Sequence, residues 1–149
     1  THPQPPRPHS HAAATAPPKS DQHHLFPTDS DANVRRGSYP YGNTDCSSGG
    51  PVCEWSFGGS ELGDVEGGST LVFEVRPEYR GDVARAHFYF ALRYELPIED
   101  AEEHFLRLWN DDDPPSAFEE ERNDQIETAQ HNRNPFVDRP DFVEQISDF

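Results

Sequence analysis

The sequence predicts an α+β fold, with a small β element near the front and helices behind it. Three observations carry this. The run Thr70-Leu-Val-Phe-Glu-Val75 is β-branched and aromatic, the composition of a strand. From residue 80 onward, apolar residues recur at helical spacing. Between residues 42 and 70 the chain holds most of its glycine, which marks loop. At 149 residues the chain is long enough for one domain and too short for two comfortable ones.

In chain order, residues 1–20 carry prolines and an alanine run and are expected as an extended, poorly packed segment, with a single domain over 21–149. Residues 21–27 predict a short strand or ordered turn. A short helix comes next over 28–36, with Thr28 as N-cap and Asp29 and Asp31 in its first turn, where acids are favoured; Gly37 stops it. A short strand is expected at 54–57 and another at 70–75. From Arg80 to Tyr94, the residues Val83, Ala86, Phe90, Ala91 and Tyr94 fall on one helical face, with Asp82 near the start and Arg93 near the end. A second amphipathic stretch uses Ile98, Ala101, Phe105, Leu108 and Trp109. After Pro114-Pro115, Ser116-Ala-Phe-Glu119 has the form of a capping box and opens a helix to about Gln130. A last short helix over 141–146 would bury Phe142, Val143 and Ile146.

Composition excludes several classes of function. No apolar run approaches the roughly 18 residues of a membrane span. The mean hydropathy is −0.93, and Asp and Glu outnumber Lys and Arg by 28 to 12, a net charge of −16. That balance weighs against non-specific nucleic-acid binding, which runs on clustered Lys and Arg. The charge is uneven: residues 1–43 sum to +1, and five of the eight histidines lie in the first 24 residues. Methionine is absent even at position 1, so a processed product or a fragment is expected. The acidic body is open to two further readings, a solvated surface suited to high salt and an acidic cation-binding protein.

Two cysteines, Cys46 and Cys53, flank Gly-Gly-Pro, which can form the tight turn of a small disulfide loop. A two-ligand metal site is the rival, but neither a CxxC spacing nor a neighbouring histidine supports it. A bridge implies an oxidising compartment.

The densest polar cluster runs from Asp21 to Arg36 and includes His23, His24, Asn33 and Arg35. Adjacent histidines point to different sides, so one of the two faces a given site. The Asn33 amide oxygen suits Mg²⁺ or Ca²⁺. A histidine near neutral pKa is a natural general base for water, and Arg35 or Arg36 can hold a phosphate through a bidentate fork. Residue types alone leave a second reading open, in which the histidines are satisfied polar residues and Asn33 is a helix-surface residue.

Four blocks in order resemble the endonuclease I family of secreted and periplasmic bacterial nucleases. They are Ser20-Asp-Gln-His-His-Leu-Phe-Pro-Thr-Asp-Ser-Asp-Ala-Asn-Val-Arg-Arg-Gly-Ser-Tyr-Pro-Tyr-Gly42, Arg80-Gly-Asp-Val-Ala-Arg-Ala-His-Phe-Tyr-Phe-Ala-Leu-Arg-Tyr94, Leu108-Trp-Asn-Asp-Asp-Asp-Pro-Pro-Ser-Ala-Phe-Glu, and a block from Arg122 through His131-Asn-Arg-Asn-Pro-Phe-Val-Asp138. The resemblance implies a ββα-metal core with its first strand truncated here and a helical C-terminal half. It implies one divalent cation (Mg²⁺, or Ca²⁺ or Mn²⁺), and a secreted or periplasmic monomer that cleaves DNA and often RNA without sequence preference.

Residue by residue, Asn33 matches the family's helix-borne metal ligand and Arg36 a phosphate contact or site brace. His23 matches a histidine of the preceding strand, and His24 stands where relatives carry His or Asn. Ser38 departs from the Asn of many relatives. The family's general base is the histidine of a Glu-His pair. Thr1-His2-Pro3-Gln4 resembles the residues immediately after that pair, so the pair is expected just upstream of Thr1. The resemblance then implies attack by a histidine-activated water, with Asn33 and that glutamate on the metal and Arg36 or Arg35 on the phosphate. His23 and His24 are the in-chain candidates for the base. A catalytically inactive remnant of the same fold is the competing expectation. Asn132, Arg133, Asn134 and Asp138 are expected to tie the last helix to the active-site layer by hydrogen bonds, and Arg85 and Arg93 to be ion-paired helix residues.

Overall fold

The computed structural model describes residues 20–23, 30–46 and 53–149. Of the elements and sites expected from sequence, residues 1–19, His24 and the Thr28 cap lie outside the described residues. Helix α1 spans Ser30–Arg36 and ends where predicted, with the Gly37 N–H donating to the Asn33 carbonyl at 3.1 Å. Residues 40–42 then run beside a strand. The Phe73 N–H donates to the Pro40 carbonyl at 2.9 Å, and the Gly42 N–H to the Phe73 carbonyl at 3.1 Å.

That strand, β3 (Leu71–Glu74), is one edge of a three-stranded antiparallel sheet ordered β1-β2-β3, with β1 at Cys53–Phe57 and β2 at Ser60–Asp64. β2 corrects the expectation of loop over 42–70. Its sequence, Ser-Glu-Leu-Gly-Asp, holds no β-branched residue, so propensity does not reveal it. It forms because Gly58 and Gly59, at φ +60° and +90°, turn the chain back in the hairpin geometry that fits strand twist. Both of its edges are then paired.

Helix α2 (Arg80–Tyr94) crosses the centre of the molecule. It packs on α3 (Asp100–Asp112) and on the one-turn helix α5 (Pro135–Asp138), while α4 (Ala117–Gln130) lies against α5. A 3₁₀ segment, Pro140–Gln145, comes last. The single apolar face expected for α2 is a correction, since Ala84, Arg85, Ala86, Phe88, Tyr89 and Ala91 are all buried while Val83, Phe90 and Tyr94 are half-buried. A helix packed on several sides loses its amphipathic stripe. In α3 the inward residues are Leu106 and Trp109, whereas Ala101 and Leu108 face solvent. Phe73, Phe88, Leu106, Trp109, Phe136 and Val143 make one core between sheet and helices. α5 has no counterpart among the expected elements. Its signal is Asn134-Pro135, with the Asn134 side chain accepting from the Phe136 N–H at 3.0 Å and proline at the first helical position.

Cys46 and Cys53 are bridged, their Cα atoms 5.0 Å apart. The bridge ties the segment after α1 to the start of β1. Reducing it is expected to lower the unfolding free energy by about 2–3 kcal/mol, the loop-closure value for so short a loop. Urea unfolding with and without reductant measures this.

Candidate functional site

Two polar assemblies carry the residues that the sequence singles out. The first is α1 and the chain just after it. Asn33 and Arg35 are exposed and Arg36 is half-buried. Asn33 and Arg36, three apart on a helix, share a face. The Arg36 guanidinium lies 4.5 Å from the centre of the Tyr41 ring. Its buried Nε has no hydrogen-bond partner among the described residues. Tyr41 is itself locked: its N–H donates to Glu102 Oε2 at 2.6 Å, and its ring meets those of His87, Trp109 and Phe73 edge-on. Burial pushes the Glu102 carboxyl up, and the Tyr41 N–H and Arg36 act against that rise. Tyr41, with Glu102 behind it, thus braces the half-buried Arg36.

The second assembly holds His23. Asp21 is fully buried and accepts hydrogen bonds from the Tyr89 hydroxyl at 2.6 Å, the Tyr94 hydroxyl at 2.7 Å and Gln130 Nε2 at 2.8 Å. It also accepts the His23 N–H at 3.0 Å, and Arg93 Nε stands 3.7 Å away. His23 is 1% exposed, and its Nε2 lies 2.9 Å from the Asn132 carbonyl oxygen. Burial lowers its pKa, so the ring is neutral and donates from Nε2. A general base needs a ring nitrogen open to water; His23 instead braces residues 20–23 between α2 and the α4–α5 turn. The structure therefore groups Asn33, Arg35 and Arg36 on α1 and gives His23 a separate set of neighbours. His24 lies outside the described residues. Cys46 and Cys53 belong to neither assembly.

Arg85 is a third buried centre, ion-paired as expected. Its guanidinium makes a two-pronged contact with Glu119, at 2.8 Å and 2.7 Å. It also donates to Asn110 Oδ1 at 3.1 Å and to the Asp113 carbonyl at 2.8 Å. Gly81 lets that carbonyl approach, since a Cβ there would collide with it. Ser116 caps α4 by accepting the Glu119 N–H at 3.2 Å, but the Glu119 carboxylate is taken by Arg85, so only half of the expected capping box forms. Asn123, Asn134 and Asp138 cross-link α4 to α5, and Asn134 Nδ2 donates to the Arg85 carbonyl. Arg133 joins Asp124 to Asp138. The last block of the sequence is structural, joining α4 to α5 and, through Asn134, to α2.

Asp82 faces the same centre, 3.6 Å from Arg85. Burial, then the charges of Glu119 and Asp113, push its carboxyl up to about 7 against the pull of Arg85; Arg122 also faces it. The folded state therefore binds a proton that the unfolded chain releases near pH 4. Through this group, stability falls as pH rises from about 4 to about 7 and is level above. Asp82→Asn is expected to flatten that part of the profile. Urea midpoints of parent and variant across this range read the difference.

Comparison with known proteins adds a family and several relatives. The family model described as endonuclease I matches residues 2–141. An extracellular ribonuclease of Bacillus amyloliquefaciens is 35% identical, the match covering 93% of this chain and 50% of that protein. One of Bacillus subtilis (strain 168) is also 35% identical, over 87% of this chain and 47% of its own length. An extracellular deoxyribonuclease of Aeromonas hydrophila is 26% identical, over 81% of this chain and 50% of its length. The chain spans about half the length of the curated relatives it matches.

Proposed function

The chain belongs to the endonuclease I family, and from that premise we propose that it is part of a secreted or periplasmic, divalent-metal-dependent endonuclease that hydrolyses phosphodiester bonds of DNA and RNA. The observation that carries this reading is the face of α1, where an exposed Asn33 amide lies one turn from an arginine braced by Tyr41 and Glu102. In this reading α1 is the helix of a ββα-metal unit. The names of the relatives and the Cys46–Cys53 bridge support secretion.

The Asn33 side chain makes no hydrogen bond among the described residues, so its oxygen is free to bind a cation. Among the described residues no group of three or more His, Cys, Asp or Glu could hold a metal. The site therefore suits a hard ion that keeps most of its waters, such as Mg²⁺. When bound, the cation would offset charge on the phosphate and on the departing oxygen. The chain's own residues do the rest. Asn33 would hold the ion, and Arg36, with Arg35 beside it, would hold the phosphate through its guanidinium. A histidine outside the described residues, His24 or one upstream of Thr1, takes the proton from water.

The burial of His23 favours a second reading, a fold that binds nucleic acid without cleaving it. Side-by-side assays of RNA and DNA cleavage in Mg²⁺, by this chain and by one extended upstream, separate the two. Cleavage of both polymers by the extended chain is expected. Binding without cleavage by either version would favour the second reading.

A further inference from the structure

Most of the basic side chains in the body of the molecule are neutralised internally. Arg80 pairs with Glu74, Arg85 with Glu119, Arg93 with Asp21, Arg107 with Glu103, Arg133 with Asp124 and Asp138, and Arg139 with Asp141. Arg122 donates to the Gln22 carbonyl. Among the described residues, Arg35, Arg36 and Arg76 have no carboxylate within ion-pair distance. The first two sit on α1. Arg76 sits elsewhere, just after β3.

Its surroundings are specific. The Arg76 N–H donates to Ser60 Oγ at 3.1 Å, and Ser60 is the cross-strand partner of Phe57. The guanidinium lies over the Gly58-Gly59 turn, where a Cβ on Gly58 would stand 3.2 Å from Nη2. On its other side it approaches the Tyr79 ring, 5.8 Å from the ring centre. Phe57 is 61% and Tyr79 47% exposed. Phe57 is the outermost ring of a row that runs through Trp55 to Phe73 in the core, so it is tied to the core on one side and open to solvent on the other. Glu61 and Glu74 project to the opposite face of the sheet, where the Thr44 hydroxyl lies 2.7 Å from Glu61 and 3.2 Å from Glu74. Glu78 is the one acid exposed in this short segment.

We propose that Phe57, Arg76 and Tyr79 form a landing surface for a single-stranded stretch of the nucleic-acid substrate, the guanidinium taking a backbone phosphate and the two rings stacking on bases. The proposal rests on the nuclease reading and adds to it a contact surface away from α1. A net charge of −16 repels a polyanion at long range, so contact is confined to places where a cation is not neutralised. Exposed rings beside such a cation are the means by which single strands are held without sequence preference.

The test is fluorescence anisotropy with a short labelled single-stranded DNA and the matching RNA, in EDTA so that nothing is cut, over a series of salt concentrations. Arg76→Ala is expected to reduce the slope of log affinity against log salt by about 0.7, the value for one phosphate contact on a single strand, and Arg76→Lys to restore it. Tyr79→Ala and Phe57→Ala should each weaken binding about tenfold with the slope unchanged. Parent binding that none of these variants alters overturns the landing surface and leaves the nuclease reading standing. A parent chain that binds neither polymer overturns both. If Phe57→Ala or Tyr79→Ala instead dissolves a dimer seen by sedimentation and leaves nucleic-acid binding intact, the surface joins copies of the chain and the proposal fails.

Discussion

Asn33→Ala, in a chain extended upstream of Thr1, is expected to cut nucleic-acid cleavage in Mg²⁺ by roughly 100-fold or more, since loss of even an outer partner of a metal ligand costs up to about that much. The side chain is exposed and makes no hydrogen bond among the described residues, so its removal leaves the packing of α1 untouched. The backbone carbonyl that accepts from Gly37 stays in place. The melting temperature should therefore hold while activity falls. Asn33→Asp keeps an oxygen at the same point and adds charge, so it should retain the metal. Cleavage by Asn33→Ala at the parent rate would remove Asn33 from the site.

Glu119→Ala is expected to have the largest effect on stability, about 3–5 kcal/mol, the cost of stranding one partner of a buried ion pair. Arg85 is wholly buried and Glu119 nearly so. Without the carboxylate, two guanidinium nitrogens lose their acceptors in the centre of the helical layer. A domain of this size has roughly 5–15 kcal/mol in total, so the variant should be close to unfolding. Replacing both partners by Met and Leu removes the unpaired charge and should recover most of the loss. Urea unfolding of the single and double variants decides this. A single variant within about 1 kcal/mol of the parent, the common effect of a point mutation, would show that water reaches the site.

The long helices were legible because their periodicity and caps are local. Asp82 near the start of α2 and Ser116 before α4 place these two helices to within a residue of their observed bounds, and the apolar stretch from Ile98 to Trp109 places α3 to within three. β2 was not legible, since a strand paired on both edges takes its stability from neighbours and needs no β-branched residue of its own. The buried faces of α2 depend in the same way on what surrounds it, so the polar Arg85 lies deeper than Val83. On α1, the resemblance singles out Asn33 and Arg36, and their spacing of three puts them on one face of the helix. The brace beneath them was not legible. Glu102 lies 61 positions from Tyr41, and nothing local marks it among the other acids of α3. His23 shows the same limit: by residue type it is a candidate base, whereas the Tyr89 and Tyr94 hydroxyls that bind Asp21 beside it come from a distant helix.

The most direct measurement is phosphodiester cleavage by the upstream-extended chain under three conditions: in Mg²⁺, after addition of EDTA, and after Mg²⁺ is restored in excess. Cleavage in Mg²⁺, its loss in EDTA and its return with the metal is the predicted result. Cleavage that persists in EDTA, or is absent under all three conditions, would contradict a metal-dependent nuclease.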